Sequence, residues 1–157
     1  MDGIGGTPVT IHMKTTVYHG GNHEETNAIS TDGQLFTQGQ TTYLRFQEPP
    51  EMNGSQDKSA ASVTAPPTIQ LIKIRQGEIS VSRKGAVSMK QRFIPGLSTE
   101  GMYHSPHGPL AMKTKTKSLE FIRDTERSTW TLQLRYTLHL QEVYAGEFDI
   151  RITIKKV

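Results

Sequence analysis

Trp130-Thr131-Leu132-Gln133-Leu134-Arg135-Tyr136-Thr137-Leu138-His139-Leu140 alternates without a break: Trp130, Leu132, Leu134, Tyr136, Leu138 and Leu140 share one parity, and Thr131, Gln133, Arg135, Thr137 and His139 share the other. Strict period-two alternation over eleven residues puts the two sets on opposite faces of an extended strand, one face apolar and one polar. The same rule, carried outward along the chain, decides the fold class.

Downstream, Ala145-Gly146 reads as a turn into Phe148, Ile150, Ile152 and Ile154, which alternate with Asp149, Arg151, Thr153 and Lys155 and complete a terminal hairpin. Upstream, Leu110 to Lys117 and Ser118 to Asp124 read as two further extended segments, preceded by the turn cluster Ser105-Pro106-His107-Gly108-Pro109 and by a short segment, Gly101 to His104. Thr68 to Arg75, Glu78 to Lys84 and Ala86 to Ile94 form a meander joined at Gln76-Gly77 and Lys84-Gly85, where glycine supplies the positive φ of tight turns. Nearer the start, Thr41 to Glu48 places Leu44, Phe46 and Glu48 on one face, and Val9, Ile11, Met13 and Val17 mark a half-buried strand. Gly20-Gly21-Asn22 then reads as a turn into a polar stretch, and Asp32-Gly33 as another turn before Gln34 to Thr37.

No segment keeps a helical period over three turns, so the fold class is all-β. Strands that are apolar on one face and polar on the other must also hide their edges, and closure into an antiparallel up-and-down barrel is the simplest solution. A two-sheet sandwich is the alternative. The 157 residues suit one domain, with residues 51–66, poor in apolar side chains, expected as a mobile surface loop. That loop reads either as a tolerated insertion or as a lid.

Composition removes several kinds of function. With no cysteine there is neither a disulfide framework nor a thiolate nucleophile or metal ligand. No run of about 18 apolar residues crosses a membrane, and Met1-Asp2-Gly3-Ile4 lacks the basic and apolar regions of a secretion signal, so a cytoplasmic location is expected. A net charge of +3 is small for a domain that neutralises many phosphates, and nucleic acid is not indicated. Phosphate loops, dinucleotide fingerprints, nucleophile elbows and paired-histidine zinc helices are all missing, so no catalytic residue, metal or cofactor is expected.

Several blocks in fixed order carry a resemblance: Pro8-Val9-Thr10-Ile11; Tyr43-Leu44-Arg45-Phe46-Gln47-Glu48; Ile79-Ser80-Val81-Ser82-Arg83-Lys84-Gly85; Met89-Lys90-Gln91-Arg92-Phe93-Ile94-Pro95-Gly96; Tyr103-His104-Ser105-Pro106-His107-Gly108; and Leu134-Arg135-Tyr136-Thr137-Leu138 before the Ile-rich end. Their order resembles the YwiB family, small bacterial proteins with a calycin-like (lipocalin-like) β-barrel and no established function. The resemblance spans nearly the whole chain and departs at the 51–66 loop and at His104-Ser105-Pro106, where Thr is expected before the proline. It implies a barrel of about eight to ten strands, related to small-molecule binders, and no catalytic residues.

Polar residues in phase with an apolar face are the informative ones, because an interior charge or hydroxyl must be compensated or used. Glu48, Arg83, Thr114, Thr116 and Tyr136 meet that test, Arg123 meets it near a strand end, and Tyr103 joins Glu48, Arg83, Thr116 and Tyr136 as a candidate ligand contact. If Glu48 and Arg83 face one cavity, they either pair structurally at its mouth or leave the guanidinium fork for a ligand carboxylate or phosphate. His104 and His107 flank Pro106 and read as solvated turn histidines, without the carboxylate a metal site would need.

Lys113, Lys115 and Lys117, with Lys90 and Arg92, read as a solvated exterior stripe or as a surface for an acidic partner. The first expectation is therefore a non-enzymatic barrel that holds a small, partly apolar molecule inside. The second is an interaction module, monomer or homodimer, working through its exterior strands, and an enzyme with few interior residues comes third.

Overall fold

The computed structural model describes residues 6–49 and 66–157. Ten strands follow one another: β1 (Thr7–Gly20), β2 (His23–Gln38), β3 (Thr41–Gln47), β4 (Ile69–Arg75), β5 (Glu78–Lys84), β6 (Ser88–Phe93), β7 (Ser98–Ser105), β8 (Gly108–Asp124), β9 (Thr129–Leu140) and β10 (Val143–Lys156). Each is antiparallel to its neighbour in sequence, and β1 pairs with β10 over Val9–Tyr18 against Glu147–Lys156, so the sheet closes into a ten-stranded up-and-down barrel. Closure, rather than a sandwich, leaves no open edge among the described strands. No helix of the described residues is long and apolar enough to cross a membrane.

Period-two alternation sends one face of every strand inward. Ile11, Leu44, Ile72, Ile79, Leu132, Ile152 and Ile154 are at most 1 % exposed, and burial of each contributes about 1.5–3 kcal/mol. Register stacks them in rows: Ile11 lies opposite Ile154, Met13 opposite Ile152, and Ile152 opposite Leu132. The long alternation of β9 is borne out, with Leu132, Leu134, Tyr136 and Leu138 buried.

Three readings of the sequence are corrected. Asp32-Gly33 is no turn: with the polar stretch before it, it belongs to β2, which pairs with β1 from Gly20↔His23 to Thr7↔Leu35. The first six residues of β2 are exposed on both faces, so backbone pairing rather than apolar alternation holds them extended. Gly33 is there for proximity, since a Cβ at that position would lie 2.6 Å from both the Arg45 carbonyl oxygen and Ile11 Cδ1.

Ala145-Gly146 lies within β10. The turn is Gln141-Glu142, both at positive φ, and Gly146 sits in a bulge at φ 144°. The segments 110–117 and 118–124 are one strand, β8, interrupted by a bulge between Thr116 and Ser118. The loop expected over 51–66 lies, Pro66 apart, outside the described residues.

Gly85, by contrast, turns the chain as read. It adopts φ 148°, and a Cβ there would meet the Pro67 carbonyl oxygen at 2.1 Å. This lets the β5–β6 turn press against the residues that lead into β4.

Replacing Gly33 with Ala forces the β2–β3 backbones or Ile11 to move, and we expect a loss of about 1–3 kcal/mol. Urea unfolding of G33A checks it; a midpoint equal to that of the wild type would show that the close approach is dispensable.

Candidate functional site

In an up-and-down barrel, alternate connections share an end. The β1–β2, β5–β6, β7–β8 and β9–β10 turns and the β3–β4 connection therefore surround one mouth. Glu48, one residue beyond β3, and Arg83, near the end of β5, both face inward at this mouth. Arg83 Nε donates to Glu48 Oε2 at 2.6 Å and Nη2 donates to Oε1 at 2.8 Å, a two-pronged pair, while Gln70 Nε2 on β4 donates to Oε2 at 2.8 Å. The Glu48 side chain is fully buried and that of Arg83 is 16 % exposed.

Burial works against the Arg83 charge, but the hydrogen bonds and Coulombic attraction of Glu48, with a smaller contribution from Tyr103, raise its pKa above the ordinary value. Backbone bonds hold the carboxylate in place. Glu48 N donates to the Thr68 carbonyl at 2.8 Å, and Ala86 N donates to Thr68 Oγ1 at 3.1 Å, tying the β3–β4 connection to the β5–β6 turn. The carboxylate is thus saturated by protein donors, and the guanidinium presents its fork to Glu48.

Thr116 and Tyr136 belong to a second cluster. They are register partners on β8 and β9, both buried, and Gln91 Nε2 donates to Thr114 Oγ1 at 2.9 Å beside them. Burial pushes the Tyr136 hydroxyl well above its ordinary pKa, with a Gln91 hydrogen bond acting in the other direction. Its ring lies between Phe93 and Phe148, at centroid distances of 4.8 and 5.1 Å. The Thr116 hydroxyl has no partner among the described residues, although its backbone is tied to Gly96 and Leu97.

No hydrogen bond among the described residues joins the two clusters, which β6 separates by carrying Met89 toward one and Gln91 toward the other. Arg123 is exposed, with its guanidinium 5.6 Å from the Trp130 ring centroid. His104 and His107 are exposed at the β7–β8 turn. Of the basic stripe, Lys113 and Lys115 face outward, whereas Lys117 bonds Glu147 and Arg92 bonds Glu78 at 2.9 Å.

Gln70 and Gln91, 4 % and 9 % exposed, were not singled out from the sequence. Their signal was there: Gln70 is in phase with Ile72 and Ile74, and Gln91 with Met89 and Phe93.

Removing one member of a buried ion pair strands the other. Glu48→Ala should cost about 3 kcal/mol, the low end of the usual range because Arg83 keeps some water. Replacing both, as E48L/R83M, should recover most of that loss. Denaturant midpoints of the three proteins check this, and equal stability of E48A and wild type would contradict it.

A family model described as "Domain of unknown function (DUF1934)" matches residues 11–152. The "Uncharacterized beta-barrel protein YwiB" of Bacillus subtilis (strain 168) is 30 % identical over 147 residues, covering 94 % of this chain and 92 % of the relative. The crystal structure of the ywiB protein from Bacillus subtilis superposes with a TM-score of 0.75 at 27 % identity, covering 96 % of this chain and 92 % of that one. The chain belongs to the DUF1934 family of YwiB-like β-barrel proteins, whose function is unknown.

Proposed function

We propose that this protein is a non-enzymatic, cytoplasmic carrier or sensor that holds a small, partly apolar molecule inside the barrel, near the mouth that bears Glu48 and Arg83. One observation carries the reading. Val81 is in the middle of β5 and faces inward between its register partners Ile72 and Gln91, which are 1 % and 9 % exposed, yet Val81 itself is only half-buried. In a close-packed interior a residue flanked on both sides by buried neighbours is expected to be buried too, so the accessible surface of Val81 supports space in front of it.

Arg83 and Tyr103, half-buried and inward on β5 and β7, border the same region. A ligand there meets apolar surface from Val81 and Met89 and polar groups from Arg83 and Tyr103, the mixture typical of small-molecule sites. Ten strands also enclose more width than eight. The saturated Glu48 carboxylate serves in this reading to orient Arg83, and the remaining guanidinium N–H groups and the Tyr103 hydroxyl meet the polar end of the ligand. Thr116 and Tyr136, deeper in the barrel, bound its apolar end.

Native mass spectrometry on protein purified from a bacterial lysate tests the proposal. Wild type should carry an adduct of defined mass that is lost both in Arg83→Ala and in Val81→Trp, the latter filling the space while leaving the ion pair intact. Wild type without an adduct, or an adduct retained in V81W, would overturn it.

A second reading rests on a groove of about 710 Å³ on the outer face of β7–β9, where Met102 and Ala111 sit among Lys113, Lys115 and His139 and the acidic Glu100 and Glu142. Neither lysine forms an ion pair among the described residues, and with lysines and carboxylates both lining it the groove suits an extended polypeptide of mixed charge whose carboxylates meet Lys113 and Lys115. Binding of such a peptide that survives K113E/K115E would remove this reading.

A further inference from the structure

The β1–β2 turn holds a set of side chains that neither the interior clusters nor the groove uses. His19, His23 and Glu25 each offer one ligand atom, and these three atoms all lie within 4.8 Å of one another. We propose that the three residues form a binding site for a divalent transition-metal ion of the Zn²⁺ class at the rim of the barrel mouth.

The backbone explains why the three converge. Val17 pairs with Glu25 and Tyr18 with Glu24, and the register then shifts so that Gly20 pairs with His23, leaving His19 as the extra residue of a bulge. Bulges re-aim side chains, and this one sets His19 beside His23 across the Gly20-Gly21-Asn22 turn. The two rings are 5.3 Å apart at their centroids, and His19 Nε2 is 3.3 Å from Glu25 Oε2.

Tetrahedral Zn²⁺, with Zn–N of about 2.0–2.1 Å and Zn–O of about 2.0–2.2 Å, holds its ligand atoms about 3.3–3.5 Å apart. His19 and Glu25 already meet that spacing, and the third ligand must close by at most roughly 1.5 Å, within reach of a rotation of the exposed His23 side chain. Two imidazoles and one carboxylate favour Zn²⁺ over Mg²⁺ or Ca²⁺, which take oxygen ligands. Three protein ligands leave a fourth position open to water or to a donor atom of a bound molecule. The sequence alone points to no metal: His104 and His107 have no carboxylate at hand, and the Gly20-Gly21-Asn22 turn that separates His19 from His23 and Glu25 reads only as leading into a polar stretch.

The test is isothermal titration of ZnCl₂ into the untagged full chain. One Zn²⁺ per chain is expected, with affinity falling about tenfold or more in His19→Ala and in His23→Ala, since losing a ligand costs at least as much as losing its supporting partners. His104→Ala/His107→Ala should bind like wild type. The three residues are exposed, so the variants are expected to fold, and far-UV circular dichroism verifies it. No Zn²⁺ uptake by wild type, or uptake unchanged by H19A and H23A, would overturn the proposal.

Discussion

The structure depends on the pairing of its first strand with its last. Without the bonds between β1 and β10, the other strands would form an open, strongly twisted sheet with two long edges and a half-solvated apolar face. Closing the ring gives each strand two neighbours and turns one face of the sheet into an interior. Ile11 against Ile154 and Met13 against Ile152 make the seam apolar, so the contact that closes the barrel also belongs to its core. Closure has a cost for polar residues, because any polar side chain on the inner face must find its partners inside.

That constraint divides the interior into unlike walls. β1, β9 and β10 contribute Val9, Ile11, Met13, Leu132, Leu134, Ile152 and Ile154, all buried and apolar. The wall from the end of β3 to β8 adds polar residues to buried Ile72, Ile79, Phe93 and Met112: Glu48, Gln70 and Arg83, joined by a two-pronged ion pair and an amide hydrogen bond, and, apart from them, Gln91 bonded to Thr114. A barrel that needed only stability would gain little from this arrangement, since a buried ion pair seldom outperforms apolar residues of the same volume. Polar groups confined to one side of a largely apolar interior, with accessible surface at Val81, are what the proposed chamber for an amphipathic molecule requires.

Much of this was legible in the sequence. Period-two patterns identified β3, β5 and β9 nearly to the residue, and the in-phase rule picked Glu48 and Arg83 as partners from opposite sides of a long connection. Its failures share a cause, which is that turn and strand glycines look alike in one dimension. Gly33 and Gly146 were read as turn residues, but one permits a close backbone approach and the other a bulge. The true β9–β10 turn, Gln141-Glu142, uses two residues at positive φ where Asn-Gly is the usual signal, so nothing marked it. The first half of β2 has no buried face and therefore no periodicity to read. Gln70 and Gln91 show that long amides belong with hydroxyls and charges whenever inward polar residues are sought.

The central claim, that the barrel encloses space in front of Val81, is tested most directly by a high-resolution crystal structure of the chain. The account requires density for a bound molecule or ordered water inside the barrel, in contact with Val81 and with Arg83 or Tyr103. An interior in which side chains pack against Val81 from every direction, with no room for even one water, would contradict it.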